Sequence, residues 1–325
     1  MRAELDLPEF TAKVCSWIAE HAPDGLVEVF DWRLPRIVGN RDEARRHALD
    51  HPLFRQWEQT CLAAGAVCAS WPEQFGGRGW SRRQRAVFEA ELHAHGLPKV
   101  DRDLGESLVG PTVIAWGTPE QQARLLPPII TGRDVYCQGF SEPNNGSDLA
   151  GLRTAAVRDG DELVVTGQKV WTTHALEANK MILLCRTDSQ LPRHKGLTFV
   201  VLDFSPENNV EVRPIRQMSG PAEFAEVFLT GARARCADII GGLNNGWLVA
   251  MTTLAAERDF NIPTLALENE YEFGRLVARV AEQGRSNDPA VRQVLAEAYS
   301  RMSVMRHLGD RILSDPDGAE TEPAI

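Results

Sequence analysis

Apolar residues recur at three- and four-residue steps between charged ones over positions 8–21, 41–65, 81–95 and 101–116, a period that places Phe88, Leu92 and His95 on one face. Helices packing on helices are therefore expected through the first third of the chain. The breaks between them carry turn chemistry: in WPEQFGGRGW (71–80), Pro72 and the Gly76-Gly77 pair interrupt any helix before Ser81 can cap the next one. At Gly117-Thr118-Pro119-Glu120-Gln121, Thr118 is placed as N-cap, Pro119 at the first helical position and Gln121 at the third, a capping-box pattern opening a helix that ends near Gly132.

From about Asp134 the period becomes strand-like. Short runs rich in Val, Ile, Leu and Phe at 135–140, 154–158, 163–169, 181–186, 196–204, 210–215 and 226–229 are separated by turn signals such as Asp159-Gly160-Asp161. Their length and spacing predict an antiparallel β-sandwich or barrel. The helical period returns after Gly241-Gly242, with helices expected over 247–257, 269–283 and 288–314, followed by a turn-rich acidic tail at 315–325. The fold class is thus α+β and multidomain: an N-terminal helical domain (1–133), a middle β-domain (134–240) and a short C-terminal helical domain (241–325). No repeat or low-complexity linker separates the three.

Composition limits what this framework can do. The chain has 325 residues, 43% hydrophobic and 25% charged, enough for a sizeable core. Its net charge of −10 argues against a general nucleic-acid binder, which needs a basic face to replace counterions around phosphates. No run is long enough for a membrane span and the N-terminus has no basic-then-apolar signal, so a cytoplasmic protein is expected. Cys15, Cys61, Cys68, Cys137, Cys185 and Cys236 lack metal-like spacing, and reduced thiols rather than disulfides or a metal site are expected. His47, His51, His93 and His95 have no ligand-spaced partners and read as surface or core residues.

Candidate chemistry concentrates between Tyr136 and Asp188. Ser141, Ser147 and Thr173 put hydroxyls around a GFSEPNNGSD loop, where Gly139 and Gly146 permit close backbone approach and Asn144-Asn145 suits a tight turn. Such a loop can hold anionic or carbonyl oxygens on main-chain donors. It can equally be a β-turn with local side-chain bonds, and Trp171 can be core as readily as ligand platform. No GxGxxG follows a strand and no GxxxxGK[ST] is present, so any nucleotide cofactor must bind by another architecture than the Rossmann fold or P-loop.

The runs FSEPNNGSD, GQKVWTT and LLCRTD, with WPEQFGGRG, GTPEQQARLLPPIITG, QMSGPAEFAEVFL and GLNNGWLVAMTTLAAER in order around them, resemble the signature of the acyl-CoA dehydrogenase family over roughly 71–258. The resemblance implies an FAD enzyme that desaturates the α,β bond of an acyl-CoA thioester and passes electrons to an electron-transfer acceptor. By similarity, Gln138, Phe140 and Ser141 line the flavin's pyrimidine side, Ser147 approaches phosphate oxygens of FAD or of the acyl-CoA, Trp171 packs on the ring system and Thr173 donates near flavin N5. Glu257, in TLAAER, stands where one of the family's two catalytic-base positions falls, and Arg258 beside it is a candidate substrate contact. The departures are His174 where Asn or Ser is common, Pro221 for a usual glycine and Ala225 for a usual asparagine.

The resemblance leads to the expectation of a C-terminal helical bundle truncated, relative to the family, at Ile325. The resemblance therefore extends to the heteromeric acyl-CoA dehydrogenases of actinobacteria that act on steroid side-chain CoA thioesters, and a related subunit is expected to complete the site in an α2β2 assembly. Two other readings stay open: a non-catalytic structural subunit that has lost independent FAD binding, and a flavin monooxygenase on the same fold.

Overall fold

The structure is a computed structural model that describes residues 7–29, 47–218, 220 and 222–314, with the side chains of 257–268 and 312–314 outside the description. The chain divides into two compact units, one made of Met1–Ser70, Arg78–Val100 and Arg258–Ile325, the other of Trp71–Gly77 and Asp101–Glu257.

The first unit is helical. In α1 (Leu7–His21) the buried residues Phe10, Val14 and Ile18 are four apart, the stripe that a helix presents to its neighbours. Helices α2 (Leu26–Val29) and α3 (Pro52–Ala63) follow, and then α4 (Arg82–Ala94). An aromatic cluster fills the space between them: Trp17 lies 5.3 Å from Trp57, and Trp80 lies 5.0 Å from Phe88 and edge-on to Phe10 at 5.3 Å. Fully buried Trp57 satisfies its indole N–H on the Pro98 carbonyl at 2.9 Å. Phe88 and Leu92 are buried as their spacing predicts, whereas His95 is exposed and only terminates α4. Ser81 and Gln84 complete a reciprocal capping box at the start of that helix. His51 is more than a surface residue, since its Nδ1 caps α3 by accepting the Leu53 N–H at 3.2 Å.

In the second unit a π-turn at Gly105–Val109, buried throughout, runs into α5 (Gly110–Trp116), where the sequence pattern predicts one ordinary helix over 101–116. Trp71 explains the neighbourhood. Its indole N–H donates to the Glu106 carbonyl at 3.2 Å, and a Cβ at position 110 would stand 1.9 Å from its ring, so glycine is required there. Helix α6 (Pro119–Ile130) opens with the capping box expected at Thr118 and Gln121.

The β-domain is one eight-stranded sheet in the order β6-β7-β3-β2-β4-β5-β8, with β1 also paired to β4. Its strands are β1 (Tyr136–Gly139), β2 (Ala155–Asp159), β3 (Glu162–Thr173), β4 (Lys180–Arg186), β5 (Leu197–Asp203), β6 (Val210–Ile215), β7 (Phe224–Arg235) and β8 (Ile239–Ile240). Every run predicted as a strand is one. The antiparallel expectation needs one correction, because β1 and the first residue of β2 join β4 in parallel, making the sheet mixed. Cys137, Leu183, Cys185, Val200, Leu202, Val227 and Leu229 form the core on one face.

Helix α7 runs unbroken over Gly246–Glu282, where the periodicity predicts two helices, and α8 (Pro289–Ser314) follows. None of the described helices is long and apolar enough to cross a membrane.

Candidate functional site

The site residues gather where β1 ends and β3 is distorted. Opposite Glu226 of β7, strand β3 carries both Val170 and Trp171, so the register shifts between Lys169 and Thr172. Such a bulge re-aims a side chain. Here it holds Trp171 in the left-handed region (φ 60°) and leaves its ring 60% exposed, edge-on to Phe224 at 5.9 Å. An exposed tryptophan on a strained backbone is costly unless something covers it, and strain of this kind collects at functional sites. Thr173, half-buried, pairs with Phe224 immediately beyond.

The loop after β1 is tied to this bulge. Val170 N–H donates to the Ser141 carbonyl at 3.0 Å, which brings Phe140 and Ser141 beside Trp171. Gln138 projects from β1 with its amide Nε2 buried and without an acceptor among the described residues. Phe140 is buried and turns its ring edge-on to Phe199 at 5.9 Å. Glu142 and Asn145 exchange backbone hydrogen bonds at 3.0 Å in both directions, which makes the tight turn expected at Asn144-Asn145. Ser147 is exposed toward the far end of the loop, and no hydrogen bond joins it to the Trp171 group among the described residues. A Cβ at Gly146 would meet nothing within 4 Å, so the backbone there is open to approach.

What pins the loop is a buried ion pair that the motif reading passes over. Lys169, 0% exposed, donates to the Phe140 carbonyl at 3.0 Å, to Glu142 Oε1 at 3.0 Å and to the Leu184 carbonyl at 2.9 Å. Glu142 also accepts the backbone N–H groups of Arg153 and Thr154, each at 2.7 Å. Burial pushes the Glu142 carboxyl up, but the Lys169 ammonium and these N–H donors outweigh it and hold the group below the usual carboxylate range. Burial pushes the Lys169 ammonium down against the opposing pull of Glu142.

Helix α7 starts against the same sheet. A Cβ at Gly246 would lie 2.5 Å from the Thr198 carbonyl carbon, so glycine lets the helix begin there. Thr112 and Thr253 hydroxyls meet at 2.8 Å, and the Trp116 indole N–H donates to Thr252 Oγ1 at 2.9 Å, fixing the first turns. Position 257 follows one turn beyond Thr253. The side chains of Glu257 and Arg258 lie outside the described residues, as does Pro221.

Two departures from the motif find explanations. His174 has φ 58° and donates its N–H to the Glu223 carbonyl at 3.1 Å; histidine is among the residue types that tolerate this region. Ala225 is fully buried opposite Thr172, so its replacement concerns sheet packing.

The pattern of the acyl-CoA dehydrogenase N-terminal domain matches residues 33–133 and that of the middle domain residues 137–232. The chain belongs to the acyl-CoA dehydrogenase family, a family of flavin-dependent oxidoreductases. It is 39% identical over 303 residues to the acyl-CoA dehydrogenase IpdE1 of Mycobacterium tuberculosis, covering 93% of this chain and 76% of that one. Among solved structures, a steroid acyl-CoA dehydrogenase described as Tcur3481-Tcur3483 superposes with a TM-score of 0.75 at 29% identity, covering 96% of this chain and 76% of that one. The ChsE4-ChsE5 complex from Mycobacterium tuberculosis does so with a TM-score of 0.73 at 26% identity, covering 98% and 79%.

The residues present fit a flat, polar ring system. An exposed indole face, a buried amide donor on Gln138 without an acceptor among the described residues and the hydroxyls of Ser141 and Thr173 suit a flavin whose pyrimidine edge presents carbonyl acceptors.

Proposed function

We propose that this chain is the base-carrying subunit of a heteromeric, FAD-dependent acyl-CoA dehydrogenase. It acts in the cytoplasm on a CoA thioester whose acyl part is a steroid side chain, in an α2β2 assembly with a related subunit. The observation that carries the flavin reading is Trp171, aimed out of the sheet on a left-handed backbone beside Ser141 and Thr173. The assembly and the steroid substrate draw on the likeness to a steroid acyl-CoA dehydrogenase and to a two-protein complex.

When bound, FAD supplies a two-electron acceptor for the hydrogen that leaves the thioester β carbon as hydride. Glu257 takes the α proton, and the electron pair left on the α carbon closes the new double bond. A carboxylate shielded from water has its pKa raised toward useful basicity. Gln138, Phe140 and Ser141 would hold the pyrimidine side of the flavin, Trp171 would cover the ring and Thr173 would offer a donor at its reducible edge, dipoles oriented before charge develops. Ser147 approaches phosphate oxygens of FAD or of the acyl-CoA, and Arg258 contacts the substrate. Electrons would pass from the bound flavin to an electron-transfer acceptor.

The test is to purify the chain with its related subunit and titrate the complex with acyl-CoA thioesters, including steroid side-chain ones, while recording flavin absorbance. A yellow complex that bleaches is expected. Glu257→Gln should keep the flavin and lose turnover by about 100- to 10,000-fold; unchanged turnover removes Glu257 from the mechanism. A complex whose flavin is held entirely by the other subunit would make this chain structural, and oxygen consumption on reduction would make it a monooxygenase.

A further inference from the structure

We infer that Lys169 is a positioning residue of the cofactor site, acting through the Phe140–Ser141 peptide. Its ammonium fixes and polarises that peptide so that the Ser141 N–H is presented as a pre-oriented donor to a carbonyl or anionic acceptor. The inference rests on the reading that a flavin lies against Ser141 and Trp171, and it adds what holds and tunes that contact.

A lysine ammonium has three protons to donate. All three are committed, to the Phe140 carbonyl, Glu142 and the Leu184 carbonyl, so Lys169 has none left for a substrate. Its acceptors join the loop after β1 to β4, while the lysine itself belongs to β3. An apolar side chain of similar volume would hold such a sheet as well or better, because taking two charges out of water is expensive. The pair is therefore better understood through the geometry it imposes.

That geometry converges on Ser141. The peptide before it is gripped at the Phe140 oxygen by Lys169, and the peptide after it is gripped at the Ser141 oxygen by Val170 N–H at 3.0 Å. Both planes flanking Ser141 are fixed. The Ser141 N–H donates no hydrogen bond among the described residues. A charged donor on a carbonyl strengthens the N–H at the other end of the same peptide, since chains of hydrogen bonds polarise one another and charge-assisted bonds are the strong ones. Glu142 keeps the ammonium neutralised within a buried site and, through Arg153 and Thr154 N–H, anchors the root of the same loop.

The experiment uses the full chain purified with its related subunit, as wild type, K169M, E142Q and K169M/E142Q. Amide hydrogen exchange is followed over 139–148 and over the rest of the sheet, together with the FAD dissociation constant and the flavin visible spectrum. The double variant leaves no unpaired buried charge and should fold with sheet protection unchanged. Its exchange at 140–147 should rise, and its FAD affinity should fall, by about tenfold each, the scale of one lost hydrogen bond, with a shifted flavin spectrum. E142Q, which keeps the Lys169 bond to Phe140, should stay nearer wild type in spectrum than the double variant. A double variant that folds with wild-type exchange, affinity and spectrum overturns the inference, as does an E142Q spectrum shifted as far as the double variant's. If the wild-type complex takes up no FAD, the functional reading fails first, and the exchange measurement alone then decides whether Lys169 positions Ser141.

Discussion

Two ion pairs hold opposite ends of one loop, and they do so on different physical terms. At the root, Lys169 meets Glu142 at 3.0 Å with side chains 0% and 7% exposed. Toward the tip, Arg193 meets Asp148 at 2.8 Å with side chains 68% and 58% exposed. The distances are alike; the surroundings are not. Water screens the outer pair, and holding two long side chains in one geometry offsets much of what attraction remains. The inner pair is unscreened, and breaking it strands a charge in the interior. The loop is thus held more firmly where Ser141 stands than where Ser147 stands.

The largest effect should come from breaking the inner pair on one side. K169M leaves Glu142 buried without its counter-charge and is expected to cost about 3–5 kcal/mol, measured by urea unfolding of the purified protein. K169M/E142Q should recover most of that loss, because no buried charge is left unpaired. A double variant as unstable as K169M would mean that the sheet needs the lysine's contacts with the carbonyls more than it needs neutrality, and the contrast between the two pairs would lose its basis.

Much of this was legible in advance, for a local reason. The seven strand runs and the Thr118 capping box are encoded within a few residues of themselves, so periodicity and cap chemistry find them. Sheet order is set by contacts between residues far apart. The parallel pairing of Tyr136 with Lys180 has no sequence signature that differs from an antiparallel one. The unbroken α7 was hidden because Pro263, within it, normally signals a stop. At the site, Trp171 could be named but not aimed, since the extra residue that turns it outward exists only relative to Glu226 on another strand. Lys169 was missed because it looks like any charged residue until Phe140, Glu142 and Leu184 are seen around it.

Acid should separate the pairs next. The Glu142 carboxyl is held below its unfolded value of about 4.3. A depressed carboxylate contributes stability that is fully present above the unfolded value and lost as pH falls through the folded one. Wild-type stability is therefore expected to fall below about pH 4.3 more steeply than that of E142Q, which carries no proton to take up at this position. Chemical unfolding at a series of pH values measures both slopes. Parallel curves would show that Glu142 is not held in its charged form.

The smallest expected effect is at the tip. R193A removes an exposed pair and should change stability by about 0–1 kcal/mol, with the difference from wild type shrinking as salt is added. Exchange of the Val170 N–H should stay as it is, because its bond to the Ser141 carbonyl does not depend on Asp148. Any rise should be confined to the residues around Ser147. If R193A instead loosened Ser141 as much as K169M/E142Q does, the loop would move as one piece. The firmer hold at the root would then be a property of the whole turn rather than of the buried charge beneath it.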